Sequence, residues 1–442
     1  MKVLKFGGTS LANSSSILQA GAVVKSDKQN RFVVVSAPGK REKTDTKVTD
    51  LLYGAFDAFK TGTSIEQAFG AVEKRFDEII SGLKIKISLK NDFDIIKQDI
   101  KNGACLDYVA SRGEYLSGKV CAEFFNLEFV DAAGIIKFDA SGRFLQEETN
   151  SACNKKLKGL KGAVIPGFYG SMPNGQIKTF SRGGSDITGA IIARAVGASV
   201  YENWTDVNGF MAADPRVVDN PQRIDMLTYK ELRELSYMGA SVLHADAIFP
   251  VRKSDIPIHI RNTFCASCTG TRVVPTKKYL AGEFNRTERT ITGIAGKTSF
   301  CAIYIEKSML NDELGFARRV LSVLERHGIS LEQMPSGIDT LTVLFDCSNV
   351  SDDTLKLVLD DINKECAPDT IHLVKNIALI AIVGHGMSRK TGVAKQVFGA
   401  LSDAGINVRL IDQGSSELNI IVGVEASDYE RAIVALYEAL KE

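Results

Sequence analysis

The sequence predicts an α/β protein: a mostly parallel sheet covered by helices on both faces, followed by two small α+β units in tandem. Three observations lead there. Short apolar runs of strand length alternate with amphipathic segments of helix length. The chain has 442 residues, more than one hydrophobic core usually serves. Beyond about residue 290 the chain repeats itself, Gly315 to Leu324 aligning with Gly392 to Leu401 at an offset of 77 residues, with apolar positions coinciding at 320/397, 321/398 and 324/401.

Each element has a local reason. Residues 2–6 set Val3, Leu4 and Phe6 around Lys5 and stop at Gly7-Gly8, which reads as a strand ending in a tight turn. Alternation brings Lys5 out near the strand end, beside that turn. Two glycines let backbone amides face an anion, and Thr9 and Ser10 suit a helix start that binds phosphate. A buried strand and a plain turn explain this segment equally well by itself. Residues 31–37 form a valine-rich run suited to a strand buried on both faces. A Pro38-Gly39 loop follows, charged to about Asp45, and then a helical pattern through Leu51, Leu52, Ala55, Phe56 and Phe59. Residues 60–105 read as helical and charged, a cover over the sheet without identifiable chemistry. Further strands are expected at 163–166, 198–202 and 256–261, and a helix at 186–196.

Near residue 285 the chain turns polar. Each repeat beyond it is an apolar-striped helix closed by a glycine, flanked by strands at 300–305 and 340–345 in the first copy and at 377–383 and 417–424 in the second. The expected division is 1–285, 286–372 and 373–442. A duplicated unit of this kind binds an effector or a second chain at its seam, or serves only for assembly.

Hydrophobic content of 44%, charged content of 24% and 54 basic against 53 acidic residues describe an ordinary globular chain, with neither a nucleic acid nor a membrane as partner. Eight scattered cysteines favour a reducing compartment. Cys265-x-x-Cys268 lacks the second pair or histidine spacing of a zinc site. Apolar runs such as 377–383 are far too short to span a bilayer. The N-terminus reaches its glycines too early for a signal peptide, so the cytoplasm is the expected location.

Four further polar constellations carry candidate chemistry, each expected at the end of a strand-like run. The first is Ser36-Ala37-Pro38-Gly39 with its loop to Thr49. The second, Ser111-Arg112-Gly113-Glu114-Tyr115-Leu116-Ser117, puts one acid between a glycine and a helical run. The densest is Ser181-Arg182-Gly183-Gly184-Ser185-Asp186, and the last runs from Trp204-Thr205-Asp206 to Asp214-Pro215-Arg216. Arg182 suits a carboxylate, which its guanidinium grips through two parallel bonds. Asp186 suits Mg²⁺ or a cation, and equally a helix cap. Glu114 is a ligand or a solvated helix start, and Trp204 reads as core. Ala295-Gly296-Lys297-Thr298 imitates the end of a Walker A loop, but Ile291 fills the required first glycine position. Gly384-His385-Gly386 lacks the third glycine of a dinucleotide fingerprint.

Taken in order, Lys5-Phe6-Gly7-Gly8-Thr9-Ser10, residues 111–117, 181–186 and 204–216, Met238-Gly239-Ala240 with Leu243-His244, and Arg261-Asn262-Thr263-Phe264 resemble the aspartate kinases nearly end to end. The tandem units resemble that family's paired ACT domains. The resemblance implies an amino-acid-kinase three-layer sandwich followed by two ferredoxin-like ACT units. It implies phosphoryl transfer from MgATP to the side-chain carboxylate of L-aspartate. Lys5 and Asp186 are then catalytic. Lys5, Gly7, Gly8, Ser10, Thr205, Asp206, Met211, Asp214 and Arg216 hold ATP, and Mg²⁺ arrives with the nucleotide rather than on a protein site. Ser36, Thr49, Glu114, Arg182, Gly183, Gly184 and Ser185 hold aspartate, Glu114 facing its ammonium and Arg182 a carboxylate. Ser241 stands where many relatives carry lysine, and Met211 where some carry an aromatic residue beside adenine.

Met309, Gly315, Phe316, Ser330 and Glu332 resemble the effector site of lysine-inhibited relatives, which implies feedback by lysine, alone or with threonine. Self-association through the ACT units, as a dimer or a dimer of dimers, is expected with it. The alternatives are a glutamate, acetylglutamate or carbamate kinase of the same fold, or a non-catalytic amino-acid sensor. Intact Lys5, Asp186 and glycine turns weigh against the sensor.

Overall fold

The computed structural model describes residues 1–181, 183–240, 242–243, 248–284 and 289–441. Two compact units emerge. The first comprises residues 1–210, 223–232 and 241–287, the second 211–222, 233–240 and 288–442.

The first unit is built on strands β1 (Lys2–Phe6), β2 (Asn30–Val35), β3 (Glu128–Phe129), β4 (Ala163–Pro166), β7 (Val200–Thr205), β8 (Met226–Thr228), β9 (Ile258–Asn262) and β10 (Thr271–Val274), with a separate hairpin of β5 (Tyr169–Ser171) and β6 (Ile177–Thr179). Their order across the sheet is β3-β4-β2-β1-β7-β9-β10-β8, and the pairs are parallel except β9 with β10. Helices Ser14–Ser26, Val48–Lys60, Ile65–Leu83, Lys90–Lys101 and Leu106–Phe125 pack together on the sheet, and Gln146–Leu157 with Gly184–Ala195 form a second helical group on it. The result is the expected three-layer sandwich.

Local sequence explains these elements. Helix Ile65–Leu83 starts where the Ser64 side chain accepts from the Gln67 amide and ends at Lys84 with φ 55°. It buries Ile65, Phe69, Val72, Phe76, Ile79 and Leu83, a helical stripe worth about 1.5–3 kcal/mol per side chain. Residues 60–105 are therefore part of the core. Helix Ser14–Ser26 is capped by Asn13, whereas Thr9–Leu11 forms only a 3-10 turn. The expected helix start at Thr9 and Ser10 thus falls four residues later, where an Asx side chain supplies the cap.

The second unit contains β11 (Gly293–Glu306), β12 (Thr340–Asp346), β13 (Thr370–Val383), β14 (Leu410–Asp412) and β15 (Asn419–Glu425). They form one antiparallel sheet, β12-β11-β13-β15-β14. The two repeats share it through the long strands β11 and β13, paired from Gly293↔Val383 to Glu306↔Thr370. The repeat helices Phe316–Arg326 and Val393–Asp403 each follow a glycine in the left-handed region, Gly315 at φ 77° and Gly392 at φ 88°. Their stripes, Val320 and Leu324 in one copy and Val397 and Leu401 in the other, face separate cores. Ala213 and Val218 pack into the second of these cores. Lys297 lies within β11, so the Walker-like string is a strand.

Cys265 and Cys268 are bonded to each other in the loop after β9, and Cys301 of β11 is bonded to Cys347 after β12. Among the described residues no helix is long and apolar enough to cross a membrane.

Candidate active site

Parallel strands present their C-terminal ends to one edge of a sheet, and the polar constellations of the first unit gather there. Lys5 of β1 lies in register with Asn203 of β7, so both side chains leave the same face. Lys5 Nζ stands 2.6 Å from Asp186 Oδ1, and Asn203 Nδ2 donates to the same oxygen at 2.9 Å. Lys5 is only 8% exposed. Asp186 sits in the first turn of helix Gly184–Ala195, whose cap, Gly183 at φ 57°, makes no side-chain bond. Its Oδ1 is engaged by Lys5 and Asn203, while the residue also stands as the acid in the helix's first turn.

The glycine turn is held tightly. Gly7 N–H donates to Trp204 O at 3.0 Å, so its amide is spent within the sheet. Gly8 touches the loop after β2: Gly39 N–H donates to Gly8 O at 2.8 Å, and a Cβ on Gly39 would meet Gly8 C at 2.7 Å. Ser36 N–H donates to Phe6 O at 3.2 Å. Ser10 Oγ lies 2.8 Å from Thr263 Oγ1, and Thr263 N–H donates to Thr205 O at 2.9 Å. The ends of β1, β2, β7 and β9 are thereby tied into one floor.

Glu114 lies in the middle of helix Leu106–Phe125, not at a helix start, and is 6% exposed. Its constellation belongs to a helix interior rather than a strand end, because the helical pattern begins earlier, at Leu106. Burial pushes its carboxyl up to about 7, against the Ala37 amide, Arg112 and Lys47, which pull it down. Oε2 is buried with no hydrogen-bond partner in the structure. A buried carboxylate oxygen left open is costly unless a cation or donor fills the site. Close packing fixes it there, since a Cβ on Gly113 would lie 2.7 Å from Ala37 Cβ. Ser185 is buried against Gly167, where a Cβ would come within 2.6 Å of Ser185 Oγ. Thr49 lies in the first turn of helix Val48–Lys60, whose start is tethered by the Val48 N–H donating to Pro38 O at 3.1 Å.

Trp204 is core, as expected: it is 2% exposed, stacks on Phe6 and donates from Nε1 to Glu202 at 2.9 Å. Thr205 donates to the Asp206 carboxylate at 3.1 Å. Met211, Asp214 and Arg216 group with the second unit, where Arg216 and Asp214 pair at 2.6 Å. Arg182, Ser241 and His244 lie outside the described residues. Among the described residues no cluster of three His, Cys, Asp or Glu side chains is arranged to hold a metal.

Of the expected regulatory residues, Met309 is 67% exposed at φ 61°, and its N–H donates to Asp339 at 2.9 Å. Gly315 caps its helix, and Phe316 is buried in the core of the first repeat. Ser330 is exposed. Glu332 is half-buried and accepts from Tyr237 OH at 2.6 Å.

Sequence reasoning missed Asn203, Thr263 and the Ala37 amide as parts of this floor. Asn203 follows Glu202 in a mixed strand segment that gives it no distinguishing signal, and its relation to Lys5 requires knowing that β1 and β7 are neighbours.

The amino acid kinase family model matches residues 1–262, and an ACT domain model matches residues 380–440. Aspartokinase 3 of Bacillus subtilis is 38% identical, the match covering 99% of this chain and 98% of that protein. The crystal structure of Clostridium acetobutylicum aspartate kinase is similar over 100% of both chains, with a TM-score of 0.92 and 47% identity. Escherichia coli aspartokinase III in complex with aspartate and ADP, in its R-state, is similar over 100% of both chains at a TM-score of 0.79 and 26% identity. The same enzyme in complex with lysine and aspartate, in its T-state, gives a TM-score of 0.75.

Proposed function

This chain belongs to the amino acid kinase family and, within it, to the aspartokinases, and from that premise we infer how its residues divide the reaction. The protein transfers the γ-phosphoryl group of ATP to the β-carboxylate of L-aspartate, giving 4-phospho-L-aspartate, the entry to lysine, threonine and methionine synthesis.

The observation that carries the assignment of roles is the buried Lys5–Asp186 pair at 2.6 Å, beside the turn whose Gly8 is pressed against Gly39. The nucleophile is a carboxylate, ionised at neutral pH, so no general base is needed. The obstacle is bringing two anions together while charge spreads over the transferring phosphoryl oxygens. Lys5 supplies the positive charge, and Asp186 with Asn203 fixes its direction. Because Gly7 N–H is engaged by Trp204 O, the amide offered to phosphate from this pair is that of Gly8. Ser10, Thr205 and Asp206 line the nucleotide side. Ser36, Thr49, Gly183, Gly184, Ser185 and Arg182 hold aspartate, and the open oxygen of Glu114 takes its ammonium. Mg²⁺ arrives with ATP. The donor set fits this, since Asp186 is a single carboxylate already committed to Lys5 and Asn203, and Mg²⁺ binds one or two carboxylates together with substrate phosphates. When bound with the nucleotide it would neutralise phosphate charge.

The second unit holds the effector site for lysine, alone or jointly with threonine, around Met309, Gly315, Ser330 and Glu332. Exposed Leu314, Ile338 and Met309, at 93%, 73% and 67%, support self-association through the same unit. One assay tests the whole reading: ATP consumption with aspartate, glutamate or acetylglutamate, each with and without lysine or threonine. Aspartate alone as acceptor, with inhibition by lysine, is the expected result. Turnover of glutamate instead, or indifference to both effectors, would count against it.

A further inference from the structure

The geometry points to Arg75 and Asp45 as a positioning clamp that sets the loop between β2 and helix Val48–Lys60 against the phosphate turn. This rests on the active site proposed above.

Arg75 projects from helix Ile65–Leu83, in the segment whose sequence suggested no chemistry, and is 4% exposed. Its Nη2 donates to both carboxylate oxygens of Asp45 at 2.8 Å and to Thr46 O at 3.1 Å, and its Nη1 donates to Gly39 O at 3.1 Å. A planar guanidinium holds its donors in fixed directions toward acceptors on three loop residues at once, whereas an ammonium is a compact, rotatable point charge that sets no such directions. Asp45 also accepts from the Arg41 N–H at 2.9 Å, and the Arg41 guanidinium bonds hold its carboxyl well below the usual carboxylate range. The loop is thus wound around one ionised carboxylate and fastened to one buried guanidinium.

Both ends of that loop reach the chemistry. Gly39, gripped through its carbonyl by Arg75, donates to Gly8 O at 2.8 Å. Pro38 O accepts from Val48 N–H, which starts the helix carrying Thr49 in its first turn. Packed apolar side chains would secure a loop at least as well as a buried ion pair, so stability alone does not account for one here. What the fork adds is directional definition, and positional errors on the order of 1 Å in a phosphoryl-transfer site cost up to about 100-fold in rate.

The test is steady-state kinetics of the full chain with MgATP and aspartate, comparing wild type, Arg75→Lys, Asp45→Asn and Arg75→Ala, alongside thermal melts. Arg75→Lys and Asp45→Asn should each lower kcat/KM for aspartate by about 10-fold, with kcat falling and the aspartate KM rising, at a temperature where both remain folded. Methylguanidinium should restore part of kcat/KM to Arg75→Ala and none to Asp45→Asn. Wild-type constants in Asp45→Asn or Arg75→Lys would overturn the clamp, as would losses that follow only the unfolded fraction without rescue. If Arg75→Ala does not fold, Asp45→Asn decides the matter. Wild type failing to phosphorylate aspartate would instead count against the activity itself.

Discussion

Lys5 and Asp186 meet at 2.6 Å in a site only 10% and 16% open at those side chains, where a charge is worth far more than in water. In the role proposed for Lys5, Lys5→Ala removes the cation that faces the transferring phosphoryl group and leaves Asp186 with the Asn203 hydrogen bond. Turnover should fall at least about 100-fold while circular dichroism shows the fold retained, with melting lowered because Asp186 loses its buried cation. Glu114 gives a second prediction of defined sign. Its carboxyl is raised to about 7 by burial, so it is neutral below that pH and charged above it. In the role proposed for Glu114, only the charged form attracts the aspartate ammonium. The kcat/KM for aspartate should therefore rise with pH up to about 7 and then level, and Glu114→Gln should flatten that limb. A pH profile unchanged by Glu114→Gln would remove the residue from substrate binding. At this scale Lys5 was legible because a lysine in an apolar strand before two glycines is chemically odd. Arg75 was not, since an arginine in a charged helical segment looks like any solvated one.

At the scale of elements, local rules placed most strands within a few residues: 163–166 coincides with β4, and 300–305, 340–345 and 377–383 fall inside β11, β12 and β13. Two misplacements share a cause. The helix bearing Glu114 begins at Leu106 and the first helix at Ser14, because caps and turns just outside the motif set the boundary. The loop after β2 shows how one element governs another. Gly39→Ala would drive a methyl to 2.7–2.9 Å from the Gly8 and Thr9 backbone, so the turn or the loop must shift. That variant should lose at least about 10-fold in kcat/KM with both substrates. A kinetic match to wild type would show that the loop and the turn do not act together.

For the whole molecule, the second unit includes residues outside its own repeats. Ile294 N–H donates to Ala212 O at 2.7 Å, Gln222 N–H donates to Tyr437 OH at 2.8 Å, and Ala213 and Val218 pack into its core. A fragment of residues 288–442 would expose that face and lose those bonds, and should melt lower than the second unit within the intact chain. Equal melting would make the 211–222 segment dispensable. Lysine should inhibit with a coupling of about 1–3 kcal/mol, and Glu332→Ala should raise the concentration for half inhibition at least about 10-fold. An unshifted inhibition curve would place the effector elsewhere.

Alternating apolar runs and an internal repeat determined the fold class, because both depend on spacing along the chain, whereas the family and the candidate site residues came from the resemblance of the ordered motifs to the aspartate kinases. Tertiary structure alone decided what faces what: the register of Lys5 with Asn203, the burial of Glu114, the reach of Arg75 to Gly39, and the sharing of one sheet by both repeats. Those relations join residues tens to hundreds of positions apart, and they exist only once strands pair and the core excludes water.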